Sequence, residues 1–338
     1  MTVLVTGGTG FLGRAVCRQF VEAGHQVRSL SRNPDPELAE LGVEQHQGDL
    51  RDPTAVHRAV AGCAAVVHTA AKAGLWGRRE EFYDINVRGT EHVVAACRAH
   101  DVPALVHTSS ASVVFGGDDL TGADETTPYP DRYLAHYPWS KALAEKVVRA
   151  ADSGHLATVI LRPHLIWGPG DPHFMPRLLR IARRGVPLVG DGENRVDTIH
   201  IDNAAEAHGL ALRLLTESPQ LGGHTYFISQ DEPTPLRQMM ADLLSAAGVE
   251  ARFRRVPAPA AHLAGGAMEL LWRLLPGEPP LTRFLVAELA TSHWFDIGAA
   301  KRDLGYSPTI STPQGLALLA DALRNPDTHD TKKKGTTP

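Results

Sequence analysis

Residues 3–13 read VLVTGGTGFLG. A short β-type run enters three glycines spaced three apart, Gly7, Gly10 and Gly13, and an apolar-periodic segment continues to Ala23. Strand, glycine turn and helix in that order form a dinucleotide cradle. The glycines let backbone approach a pyrophosphate, which then rests on the positive end of the helix that Phe11 and Leu12 open. Outward from this turn, β-type runs at 25–31, 43–49, 64–70, 104–110 and 158–163 alternate with helical patterns near 35–41, 53–61, 87–97 and 138–151. The alternation predicts an α/β fold with a doubly wound parallel sheet. From about Gly168 prolines and glycines punctuate shorter pieces, and TYFIS (225–229) reads as a strand returning to the sheet. The expected organisation is a cofactor-binding domain over 1–170 with returning segments near 196–229. A smaller substrate lobe over 171–325 and a disordered tail over 326–338 complete it.

Composition removes several classes. A net charge of −4 gives no basic face for nucleic acid. The one cationic run, Lys332-Lys333-Lys334, lies in the polar tail. Three dispersed cysteines, Cys17, Cys63 and Cys97, fit no metal or disulfide framework and suit a reducing compartment. No basic leader followed by a long apolar run is present, and no uninterrupted apolar stretch approaches the ~18 residues of a membrane span. A soluble, cytoplasmic protein without a metal is expected. Between 257 and 292, Leu263, Ala267, Leu270, Leu271, Leu274 and Leu275 recur at helical spacing around Glu269 and Arg273. They form either a helix packed on its own lobe or a lid over an apolar ligand that touches a membrane.

The stretch HYPWSK (136–141) places Tyr137 and Lys141 four apart, hence adjacent on a helix face, with Pro138 suited to a first turn. With the glycine turn and Ser31-Arg32-Asn33 after the second strand, it resembles the extended branch of the short-chain dehydrogenase/reductases, whose motif is Y-x-x-x-K. An acidic residue at position 31 would bind the adenosine ribose; Ser31 and Arg32 instead offer donors and positive charge to a 2′-phosphate, so NADP(H) is expected. A phenol of pKa ~10 beside an ammonium at ~4 Å gains ~4 kcal/mol at an effective dielectric of ~20, or ~3 pKa units. That would bring Tyr137 into the range of proton transfer.

The resemblance covers residues 1 to about 324 and implies further roles. Asp49 and Leu50 hold the adenine, Ala70, Ala71 and Lys72 line the cofactor's middle, and Asn86 in DINVRGT orders backbone near the reaction centre. Thr108 and, at and just after the proline of the R-P pair, Pro163 and Leu165 meet the cofactor. Ser110 donates to the substrate carbonyl, with Ser109 and Ser112 as alternatives. Tyr137 and Lys141 act as proton donor and ribose holder. His164 could face the substrate or be structural, Asp202 reads as a helix N-cap, and Trp76 and Trp139 are candidate pocket residues. AAKAGLWG (70–77), LIWGPGDPHFMPRL (165–178), VGDGENRVDTIHIDNAA (189–205) and PGEPPLTRFLVAEL (276–289) resemble the 2-alkyl-3-oxoalkanoate reductases of bacterial long-chain olefin synthesis, within a 3β-hydroxysteroid dehydrogenase-like branch. The implied reaction is NADPH-dependent reduction of a lipophilic β-keto acid. Sterol-4α-carboxylate 3-dehydrogenases are the alternative, ahead of sugar-nucleotide epimerases and of a non-catalytic cofactor sensor. A homodimer and association with other olefin-pathway enzymes are implied as well.

Overall fold

A computed structural model describes residues 1–325; the tail from 326, with its lysine run, lies outside the described residues. Seven parallel strands, β1 (Thr2–Thr6), β2 (Gln26–Ser31), β3 (Glu44–Gln47), β4 (Ala65–His68), β5 (Ala104–Thr108), β6 (Ala157–Pro163) and β7 (His224–Ile228), stand in the order β7-β6-β5-β4-β1-β2-β3. Val3 pairs with Val27 on one side and Ala65 on the other, so the order reverses at β1. A doubly wound sheet opens its ligand crevice beyond the strand ends at that reversal. TYFIS does return to the sheet, with Tyr226 beside Leu161 of β6.

The flanking helices are α1 (Phe11–Glu22), α2 (Pro53–Val60), α3 (Gly89–Ala99), α4 (His136–Ala151), α5 (Phe174–Ala182), α6 (Ile201–Glu217), α7 (Leu236–Ala246), α8 (Ala258–Trp272), α9 (Arg283–Ala290) and α10 (Thr312–Arg324). Successive side chains of a strand point to opposite faces. Val3 and Val5 therefore join Val16 and Phe20 of α1 and Ala204 and Leu212 of α6. Leu4 joins Val56 of α2, Val93 and Cys97 of α3 and Val148 of α4. Strands β4, β5 and β6 are buried along their whole length, as two covered faces require.

Two local readings are corrected. Asp202 is not the N-cap of α6; His200 is, its ring accepting from the Asp202 amide, while Asp202 lies in the first turn. The leucine pattern of 257–275 is not the packed side of a helix. Small or polar residues, Ala261, Gly265 and Glu269, are what α8 buries, and Leu263, Leu270, Leu271, Leu274 and Leu275 are exposed. Among the described residues no helix is long and apolar enough to cross a membrane, and no His/Cys/Asp/Glu group could hold a metal.

Candidate active site

The glycine turn is tight for identifiable reasons. Gly7 has φ +72°, and a Cβ there would stand 2.8 Å from Ala70 Cα. A Cβ on Gly13 would meet the Gly7 carbonyl at 2.1 Å. Both glycines let α1 and the segment after β4 close on the turn. Gly10 enters α1 with no side-chain cap, leaving the first-turn amides of Phe11, Leu12 and Gly13 to a ligand. This cradle fits a pyrophosphate.

Ser31 is buried at the end of β2 and accepts from the Thr9 amide at 3.2 Å, so part of its role is to steady the turn. Arg32 is exposed beside it, and its charge helps to hold the Asp49 carboxyl low. The larger cause there is the Arg51 guanidinium, which donates to both Asp49 oxygens at 2.9 and 2.8 Å. Leu50 is buried against Gly89, and its carbonyl accepts from His92. Ala70 is half-buried and Ala71 exposed.

Asn86 lies in a six-residue π-helical turn, Tyr83–Arg88, a geometry frequent at functional sites. Its amide bonds both the N–H and the carbonyl of Lys72, at 2.7 and 3.0 Å, and donates to Ser140 Oγ at 2.9 Å. Ser140 in turn donates to the Tyr137 carbonyl at 2.8 Å. One buried asparagine thus ties the segment after β4 to the first turn of α4. The half-buried Trp139 ring stacks on Tyr83 beneath the Arg79 guanidinium. Trp76 is half-buried.

Helix α4 begins at His136, with Pro138 in its first turn. The three serines after β5 separate cleanly. Ser110 is near enough to the Tyr137 phenol to favour its ionised form, Ser112 stands behind Ser110 with the two hydroxyls 2.9 Å apart, and Ser109 Oγ is buried without a hydrogen-bond partner among the described residues. Lys141 is buried; its ammonium donates to the Thr108 carbonyl at 2.6 Å and faces His107 Nε2 at 3.4 Å. Two of its three donors thus have partners among the described residues. Burial pulls the Lys141 pKa down to about 8, against the pull of Glu145.

The electrostatic expectation for Tyr137 needs correction. Burial raises its phenol above the ordinary value of 10, the Ser110 hydrogen bond opposes this, and Glu288 adds to it. Lys141 turns its ammonium toward Thr108 and does not supply the expected depression. An i,i+4 spacing places two side chains on one face but does not say which neighbour an ammonium chooses.

Several site groups went unread in the sequence. His107 is fully buried, its Nδ1 without a hydrogen-bond partner among the described residues. Glu145, one turn beyond Lys141, forms a bidentate pair with Arg162 at 2.9 and 2.7 Å, both side chains buried. Tyr129 donates to the same carboxylate at 2.6 Å, and Arg162 stacks on Phe227. The spacing Tyr137, Lys141, Glu145, in steps of four, was the available signal. From the lobe, α9 brings Glu288 close enough to act on the phenol through its charge, and α5 brings Arg177 close enough to act on Glu288 in the same way. Arg177 Nη2 donates to the Pro280 carbonyl at 2.9 Å. Phe284 and Ala287 of α9 pack with Phe115 and Leu75, roofing the same region. His164 is buried, with Nε2 2.7 Å from His293 Nδ1, and packs on Phe295, a structural setting. Pro163 is buried, and Leu165 holds φ +44°, a left-handed conformation unusual for leucine.

Burial raises the Glu288 carboxyl from 4.5 to about 8, Arg177 opposing. The folded protein therefore binds a proton that the unfolded chain has lost between these values. The stability this contributes is full below 4.5 and disappears as pH rises through about 8. Melting temperature should fall more steeply from about pH 5 to about pH 9 in the wild type than in Glu288→Gln, measured by differential scanning fluorimetry. Parallel curves would contradict a buried, protonated Glu288.

Residues 4–257 match the profile of the 3-beta hydroxysteroid dehydrogenase/isomerase family. The chain is 49% identical to a 2-alkyl-3-oxoalkanoate reductase of Stenotrophomonas maltophilia, over 94% of this chain and 98% of that one. It is 45% identical to a protein of the same name in Shewanella oneidensis, over 94% and 85%. Among solved structures, the UDP-glucose 4-epimerase of Thermus thermophilus in complex with NAD is similar, with TM-score 0.73 and 26% identity over 96% of this chain and 99% of that one.

Proposed function

Because the chain belongs to the 3-beta hydroxysteroid dehydrogenase/isomerase family, we propose that it reduces the ketone of long-chain 2-alkyl-3-oxoalkanoates to the 3-hydroxy acid with NADPH. The observation that carries this reading is that Ser110 and Glu288 both act on the Tyr137 phenol, while the segment after Ser110 and the helix of Glu288 also supply the apolar Phe115, Phe284 and Ala287. A β-keto acid needs donors for its carbonyl, a cation for its carboxylate and apolar walls for its chains; Ser110 with Tyr137, Arg177, and Phe115 with Phe284 and Ala287 would supply them. Gly7, Gly10, Phe11, Leu12 and Gly13 would hold the cofactor's pyrophosphate, Ser31 and Arg32 its 2′-phosphate, and Lys141 its ribose. When bound, the cofactor supplies the hydride taken up by the carbonyl carbon. Ser110 donates to the carbonyl oxygen and polarises it. Tyr137 gives that oxygen its proton. Lys141, fixed by Thr108, keeps α4 and its phenol in register. Arg177 pairs with the carboxylate, and a protonated Glu288 adds a hydrogen bond without opposing its charge.

Similarity to two 2-alkyl-3-oxoalkanoate reductases supports the substrate class. A place in olefin formation and pairing of two copies through α3 and α4 belong to the same reading, the latter open to light scattering. The decisive experiment is cofactor oxidation with long-chain 2-alkyl-3-oxo acids, sterol 4-carboxylates and UDP-sugars, each with NADPH and NADH. Turnover of the keto acids with a higher kcat/KM for NADPH is expected. Preference for NADH would remove the role of Ser31 and Arg32, and turnover of UDP-sugars alone would remove the substrate assignment.

A further inference from the structure

Helix α8 is inverted with respect to water. Its packed side carries Ala261, Gly265 and Glu269, four apart. Gly265 lies against the Thr282 backbone, and Glu269 accepts from the Arg283 amide at 2.8 Å and its guanidinium at 2.7 Å. The outer side carries Leu263 at 77% exposure and Leu270 at 65%, and just past the helix end Leu274 reaches 87%. Helices ordinarily turn leucine inward. Clustered exposed leucines mark a surface built to be covered.

The charge around this face narrows what covers it. The chain as a whole has net charge −4. Yet residues 177–184 hold four arginines and no acid, and residues 250–278 hold four arginines and three acids, of which Glu250 is engaged by Arg252 and Glu269 by Arg283. The two segments adjoin: Val186–Val189 pairs in parallel with Phe253–Val256, and Arg254 Nε would lie 3.3 Å from a Cβ on Gly185. Arg180, Arg183, Arg184, Arg254, Arg255 and Arg273 are all exposed. A second copy docked by a twofold axis would set these arginines against one another with no acidic row to meet them. An apolar face bordered by arginines matches the boundary of an anionic bilayer, where leucines enter the acyl region and arginines meet phosphates. Helix α8 also packs directly on α9, the roof of the reaction pocket.

We propose that α8, its leucines and the surrounding arginines dock the enzyme reversibly on anionic phospholipid surfaces. The surface then lies against the roof helices, so that an amphiphilic substrate dissolved in the bilayer reaches the pocket without crossing water. The delivery clause rests on the reductase reading; the docking does not.

The test is sedimentation of the full chain with vesicles of phosphatidylcholine alone or of phosphatidylcholine and phosphatidylglycerol. Binding to the anionic vesicles, weakened by salt and absent from the zwitterionic ones, is expected. Leu270→Gln/Leu274→Gln and Arg254→Ala/Arg255→Ala should each weaken it about tenfold or more, with melting temperature unchanged because all four side chains are exposed. Three results overturn the proposal: no binding to either vesicle, binding unaffected in both variants, or loss of a dimer in the leucine variant, which gives the face to a second copy. Because sedimentation involves no turnover, an inactive preparation on keto acids would sink the reductase reading and leave this one standing.

Discussion

Tyr137→Phe should lower kcat by about 10²–10⁴-fold while dissociation constants for NADPH and the melting temperature stay near wild type. The substitution removes one oxygen at the mouth of α4 and leaves Asn86, Ser140 and the Tyr137 carbonyl bonded as before. Cofactor binding should therefore persist, and loss of both binding and turnover would point to a collapsed first turn. Because burial raises the phenol pKa, the tyrosine holds its proton through the neutral range and is suited to giving it. Reduction, which needs the phenol, should persist until pH rises through its raised value, and oxidation of the alcohol, which needs the phenolate, should gain only there. Turnover within a few-fold of wild type in Tyr137→Phe would take the proton donor away from this residue.

The second large effect is on stability. Glu145→Ala leaves Arg162, 2% exposed, as an unpaired charge inside the protein. Such losses cost about 3–5 kcal/mol, so the urea midpoint should fall steeply with little change in slope. Glu145→Leu combined with Arg162→Met should recover most of the loss, since it is the orphaned charge and not the missing bond that dominates. If the single variant melts normally, the pair is not the buried contact described above.

The elements carrying the cofactor were legible because they follow from local rules. A glycine run after four β-type residues, alternation of periods, and Tyr137 with Lys141 on one helix face require only neighbours in sequence. A serine at the strand end was legible, whereas which of Ser109, Ser110 and Ser112 lies beside the phenol depends on tertiary packing. What escaped has a common physical origin in partners distant along the chain. Glu145 reads as a surface charge of α4 until Arg162 arrives from β6. Glu288 and Arg177 belong to helices whose placement over the pocket is tertiary. The Tyr137 pKa went the other way because tertiary packing buries the phenol, while Lys141 bonds Thr108, thirty-three residues earlier. On α8, periodicity correctly marked the leucine stripe but could not say that the stripe faces outward.

Strand β7 sits at the end of the sheet beside β6, yet it is contributed only after α5 and α6 have been made. A growing chain therefore carries an open β6 border while the intervening segments emerge, with rows of backbone donors and acceptors ready to recruit a neighbour. Phe227, on which Arg162 stacks, arrives in that same late piece. Cutting the gene after the first six strands would not liberate a self-sufficient nucleotide module, but a sticky fragment whose central ion pair lacks its aromatic lid.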